Sequence, residues 1–147
     1  MDYDHLRALG PLGLANRFRR IAERLTAQAR SAHREADVDF EPRWFPLFSL
    51  LLDAGGTTVG EAARALEISH VAVSRTASQM SGAGLIERRD DPDDGRATRL
   101  VLTPLGSRVA LELDEVWDDL NRRWGGLIEA TGHDLLAVLD AVESAAT

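Results

Sequence analysis

The chain contains no cysteine and no lysine. Without cysteine there are no disulfides, no thiolate metal sites and no thiol-based redox sensing. Every one of the 17 basic residues is arginine. The arginine fork suits phosphates and narrow grooves, although genomic base composition alone produces the same bias. No run approaches the ~20 apolar residues of a membrane span. The N-terminus lacks the apolar stretch of a secretory signal, so a soluble cytoplasmic protein with no membrane partner is expected. No nucleophile elbow, phosphate-binding glycine loop or paired-carboxylate motif is visible, and no enzyme is expected. The four histidines, His5, His33, His70 and His133, are scattered, so neither a metal nor a cofactor is expected. The run Asp90-Asp91-Pro92-Asp93-Asp94-Gly95 lacks the alternating ligands and closing Glu of a calcium loop.

What is present is a 147-residue chain with 44% hydrophobic content. That suffices for one packed domain, with or without appended oligomerisation helices. The net charge of −7 argues against nucleic acid until it is mapped. Arginines and acids balance over residues 1–58 and again over 59–108. Residues 109–147 hold two arginines against nine acids, which is the entire excess. The acidity is therefore segregated at the C-terminal end, and a DNA-facing surface elsewhere is compatible with it.

Hydrophobic spacing predicts a helix from about Leu12 to Ala36, with Leu14, Phe18, Ile21 and Leu25 on one stripe. A second helix is predicted over Arg43–Ala54, with Pro46 in its first turn and Gly55-Gly56 at its end. Thr58-Val59-Gly60-Glu61 matches a capping box and opens a short helix to about Leu66. After Glu67-Ile68, Ser69 is the expected cap of a further helix, Ser69–Ala83. Two short helices joined by about three residues form a helix-turn-helix. Pro104 starts a long helix in which Val109, Leu113, Val116, Leu120, Trp124 and Leu127 approach a heptad seam. Gly125-Gly126 predicts a kink or break there. A last short helix carries Leu135, Leu136, Val138, Leu139 and Val142.

Rotation at ~100° per residue assigns faces to the helix Ser69–Ala83. Val73, Ala77 and Met80 fall together. Val71, Ser74, Arg75, Ser78 and Gly82 take the opposite side, and no acid lies anywhere on the helix. Solvated helices usually carry Glu and Lys, whereas short side chains let a backbone approach another surface. In a major groove Arg75 would reach guanine, Ser74 and Ser78 a base edge or phosphate, and Val71 a thymine methyl. Ser69 and His70 would meet phosphate at the helix N-terminus. The competing reading is a packing strip for another protein.

Directly after this helix comes Gly84–Gly106. Two alternating segments, Leu85–Arg89 and Thr98–Thr103, flank a tip rich in turn residues. A carboxylate at Asp94 would hold Arg96, two residues on, in a single pose suited to a minor groove. The other acids of the tip would have to point away from phosphate.

These residues resemble the MarR family of winged-helix transcriptional regulators. The likeness is densest from Thr58 to Gly106. It covers the helix-turn-helix Val59–Met80, the lead Gly84-Leu85-Ile86-Glu87-Arg88, the wing Asp91-Pro92-x-Asp94-x-Arg96 and the close Leu102-Thr103-x-x-Gly106. The resemblance implies a mainly α fold with a small β-hairpin wing: a winged helix-turn-helix over residues 37–106, with dimerisation helices at 1–36 and 107–147. It also implies a homodimer on near-palindromic double-stranded DNA, most often a repressor. Ser74, Arg75 and Ser78 would read the major groove, and Arg96, positioned by Asp94, the minor groove. Gly95 stands where many relatives have arginine. Relatives often bind a small aromatic effector, for which Arg43, Trp44, Phe45 and Phe48 are the candidate lining, unless these aromatics are simply core. Glu41–Pro46 looks like a branch often fused to an acetyltransferase. The alternative function is a winged-helix dimer that contacts a protein partner without reading DNA.

Overall fold

A short helix, α1 (His5–Ala8), opens the computed structural model, which describes residues 3–90, 93, 95 and 98–147. Asp4 caps α1 by accepting from the Leu6 and Arg7 amides. It also accepts two bonds from Arg20, at 3.1 and 2.9 Å, and the arginine holds its carboxyl down to about 2. One 3₁₀ turn, Gly10–Gly13, leads into α2 (Leu14–Glu35), and a second, Pro42–Trp44, leads into α3 (Phe45–Ala54). The expected proline and glycine punctuation is in place, with Pro46 in the first turn of α3 and Gly55 in the left-handed region behind it.

Strand β1 (Thr57–Thr58) precedes α4 (Val59–Leu66) and α5 (His70–Gly82). The wing strands β2 (Ile86–Asp90) and β3 (Thr98–Leu102) pair antiparallel, with Ile86 opposite Leu102 and Arg88 opposite Leu100. The expected two-stranded wing is in fact part of a three-stranded sheet in the order β1-β3-β2. Only two residues long, β1 carries no periodicity that a sequence could reveal.

The long helix α6 (Pro104–Ala130) runs unbroken through Gly125-Gly126, and α7 (Leu135–Ala145) ends the fold. The expected break at the glycine pair does not occur. Glycine lowers helix propensity by about 1 kcal/mol, which the 27 residues of this helix absorb.

Thr103 organises the start of α6. Its hydroxyl accepts from the Gly106 amide at 3.0 Å and donates to the Gly84 carbonyl, while its own amide donates to the Leu85 carbonyl at 3.0 Å. At Gly106 any Cβ would fall on the Leu85 carbonyl oxygen, far inside contact distance. The Leu-Thr-x-x-Gly close is thus a clasp that locks α6 onto the base of the wing.

The main core joins α3, α4, α5, the sheet and the first half of α6 through Phe48, Leu51, Met80, Ile86, Leu100 and Leu113. Phe40 stands edge-on to Trp44, Phe48 and Trp117 at 5.0 to 5.8 Å, a favourable arrangement of ring quadrupoles. The apolar seam of α6 therefore needs correction as a purely intermolecular feature. Val109 and Leu113 are buried in the chain's own core, with Val116 packed against it, and Leu120 is also buried. Helical period identifies the apolar face of α6, not the surface that covers it. By contrast, α7 buries no residue, leaving Leu136 60% and Val138 51% exposed. Leu14, Phe18 and Ile21 on α2 and Leu127 on α6 are exposed as well.

Candidate nucleic-acid interface and effector cavity

The helix-turn-helix forms where the caps require it. The Thr58 hydroxyl accepts from the Glu61 amide, and the Glu61 carboxylate accepts from the Thr58 amide, both at 3.1 Å. Glu67 takes the left-handed conformation, φ 53°, to end α4. The Ser69 hydroxyl then accepts from the Ala72 amide at 3.1 Å and starts α5. Val73, Ala77 and Met80 are fully buried, which fixes the rotation of the helix. Ser69, His70, Arg75 and Ser78 are exposed, Val71 is 67% exposed, and Ser74 is half-buried. The outward strip has the composition that rotation at ~100° per residue assigns to it.

Two further cations stand beside this strip. Arg88 lies on the same pleat of β2 as Ile86, two residues back, and therefore leans toward α5. Its Nη2 reaches the Ser78 hydroxyl at 3.5 Å. At the other end, a Cβ on Gly60 would sit 3.6 Å from His70 Cε1 and 3.7 Å from Arg64 Nη1, so both side chains lie over the start of α4. The wing acids are partly engaged, since Glu87 pairs with Arg89. Arg99 donates to the Gly56 carbonyl at 3.1 Å. Asp94 and Arg96 lie outside the described residues.

A cavity of about 400 Å³ opens between α2, α6 and the entry to α3. Its wall includes Leu25, Phe45, Trp117 and Trp124, with Thr26 and Asn121 as polar members. Two indoles are fixed by hydrogen bonds to α2. Trp124 Nε1 donates to Gln28 Oε1 at 3.0 Å, and Trp117 Nε1 donates to His33 Nε2 at 3.3 Å. His33 is buried, and burial pushes its pKa below the usual 6.5. Because Nε2 accepts, the neutral ring carries its proton on Nδ1.

A sequence profile of the MarR family matches residues 38–97. The chain is 34% identical over 116 residues to an uncharacterized protein of Mycobacterium tuberculosis, spanning 79% of this chain and 74% of that one. The chain belongs to the MarR family. It is also similar to the HTH-type transcriptional repressor IacR of Pseudomonas putida, 27% identical over 124 residues, 84% of this chain and 73% of IacR. In fold it resembles BpsR of Bordetella bronchiseptica, solved in a study of how 6-hydroxynicotinic acid regulates the DNA binding of that protein. The TM-score is 0.73 at 21% identity, covering 88% of this chain and 91% of BpsR. Family and fold are those of DNA-binding transcriptional regulators and not of enzymes. No helix is long and apolar enough to cross a membrane, among the described residues.

Within this MarR fold the four residues proposed for an effector site separate. Phe45 lines the cavity. Phe48 is fully buried in the core. Trp44 is buried too, and its Nε1 donates to Gln79 Oε1 on α5 at 3.1 Å. Arg43 is exposed and faces a different cleft, beside Leu66, Ile68 and Val73. The cavity instead draws on His33, Trp117 and Trp124, which sequence reasoning missed. One signal was available: indoles on the inner face of a long helix need partners for their N–H groups. Arg64 and Arg88 were missed as well, although the two-residue period of β2 placed Arg88 on the face that carries Ile86.

Proposed function

We propose that this protein is a homodimer that reads double-stranded DNA and represses transcription until a small aromatic molecule enters the cavity. The observation that carries the reading is the outward strip of α5: Val71, Ser74, Arg75 and Ser78, exposed or half-buried and free of acid, beside the cations Arg64 and Arg88. A surface of short side chains and arginine suits close approach to base edges and phosphate. The wing would add Arg96, oriented by Asp94, in an adjacent narrow minor groove.

The dimer follows from apolar surface without a partner. Helix α7 buries nothing within the chain, and Leu14, Phe18 and Ile21 on α2 and Leu127 on α6 are exposed. Exposed apolar side chains in this number suit an interaction site. Its acidic residues lie at the far end of the sequence from the reading helix. Repression is supported by similarity to IacR, and effector control by the fold shared with BpsR.

The test is an electrophoretic shift with the DNA upstream of the protein's own gene. A shifted complex that weakens steeply as salt rises is expected, because phosphate neutralisation releases counterions. No shift, or an affinity flat from low to moderate salt, would favour the protein-interaction alternative.

A further inference from the structure

Among the residues that line the cavity there is no arginine, aspartate or glutamate. None of the arginines beside these residues in sequence, Arg24, Arg30, Arg34, Arg43, Arg122 and Arg123, is among the lining. Arg20 holds Asp4, Arg30 pairs with Glu41 at 3.5 Å, and Arg43 faces another cleft. His33 supplies no positive charge either: its Nε2 accepts from Trp117, which an imidazolium cannot do. The remaining polar members are the Thr26 hydroxyl and the Asn121 amide. Neither compensates the loss of water around an ionised carboxylate, which needs a cation or several strong donors. The walls offer ring faces and edges from Phe45, Trp117 and Trp124 instead.

We infer that the effector of this cavity is an uncharged aromatic molecule of one or two rings carrying an amide, hydroxyl or ring nitrogen, and not an aromatic carboxylate. This rests on the reading of the cavity as an effector site and specifies its ligand class. The ring would lie between the two indoles and Phe45. Its single polar group would meet Asn121 or Thr26.

Matched pairs test the charge alone. The full-length protein is titrated at neutral pH with salicylamide against salicylate, and with naphthamide against naphthoate. Binding is followed by calorimetry and by quenching of the tryptophan emission, to which Trp117 and Trp124 contribute. At least one amide should bind tenfold or more tighter than its carboxylate. Ala22→Trp, which fills the cavity from α2, should abolish that binding while the circular dichroism stays unchanged. Asn121→Leu offers a second, milder variant that should weaken the amide selectively. Carboxylates that bind as well as the amides, and lose binding in Ala22→Trp, would overturn the charge inference and leave the effector site standing. If none of the four probes binds in a way that either variant removes, the effector reading falls and this inference with it.

Discussion

Trp44 donates its indole N–H to the Gln79 side chain at 3.1 Å, joining the entry of α3 to the C-terminal half of α5. Trp44 stands between two neighbours of different kinds. Phe45, next in sequence, lines the cavity, and Gln79 is one residue from Ser78 on the outward strip. The bond is a strut between the entry of α3, beside the cavity, and α5. Trp44→Phe keeps most of the buried ring and deletes the donor. It should lower unfolding stability by about 1 kcal/mol, read from urea denaturation. It should also reduce the change in DNA affinity that a bound effector produces, read by fluorescence anisotropy with and without ligand. Unaltered coupling would show that α5 is not reached through this bond.

The clasp at the wing base makes a sharper stability prediction. Gly106→Ala puts a methyl group onto the Leu85 carbonyl, and backbone cannot yield as a flexible side chain can. Overpacking of this kind costs about 1–3 kcal/mol. Thr103→Val removes both hydroxyl bonds, one of which caps α6, for a loss of about 1–2 kcal/mol. Thermal melts should rank both variants below the parent. A Gly106→Ala melt equal to the parent would mean that α6 can shift freely against β2.

Arg75 and Arg88 should separate by what they read. Arg75→Ala is expected to relax base preference at one position, at a cost of about 1–3 kcal/mol for a forked contact. Arg88→Ala, beside Ser78 on the wing strand, should weaken all sequences alike and reduce the salt slope by about 1. Binding to a randomised operator pool at two salt concentrations distinguishes the two. Identical sequence profiles for parent and Arg75→Ala would remove Arg75 from base reading.

His33 gives the pH dependence of stability its direction. Burial lowers its pKa from the ordinary 6.5, opposed by the Phe40 backbone and the Glu41 charge. The cleft on its far side also carries Arg30, Arg34, Asp37 and Asp39. With a depressed folded value, the unfolded chain takes up the proton first as pH falls. The stability that neutral His33 supports is full above about 6.5 and declines below it, down to the folded pKa. His33→Gln should flatten the slope of melting temperature against pH in that window. A slope unchanged by the substitution would assign the effect to other groups.

Leu136→Glu and Val138→Glu place charge on exposed apolar positions of a helix that buries nothing in its own chain. Both should leave the fold intact and shift the protein from dimer to monomer in light scattering. DNA affinity should fall along with the dimer, since two half-sites are then no longer held together. Variants that remain dimeric would place the interface elsewhere.

Helix α5 was largely legible in the sequence because its evidence is local. Caps at Thr58 and Ser69, the period of Val73, Ala77 and Met80, and the absence of acid all lie within one short stretch. The motif around Thr103 and Gly106 was visible as a pattern, but its cause was not. Only the fold brings the Leu85 carbonyl against Gly106. Helix α6 shows the same limit: its spacing identified an apolar face, and half of that face turned out to meet the chain's own core. The cavity was least accessible, because His33 and Trp117 come from helices far apart in sequence. Of the aromatics near Trp44, only Phe45 lines the cavity, while Phe48 and Trp44 belong to the core, as the competing reading of these residues had it.

The Thr103 clasp has one more effect. By bonding to Gly84 and Leu85, whose amides donate to Ser81 and Met80 of α5, it ties both the root of the wing and the end of α5 to the long helix. Trp44 adds a second tie, to Gln79. A rotation of α6 that preserves the clasp would carry wing and α5 with it as one piece, and a shift at the start of α3 would pull on α5. A molecule wedged between α2, α6 and α3 would press on both ties at once and re-aim the two elements without unfolding either.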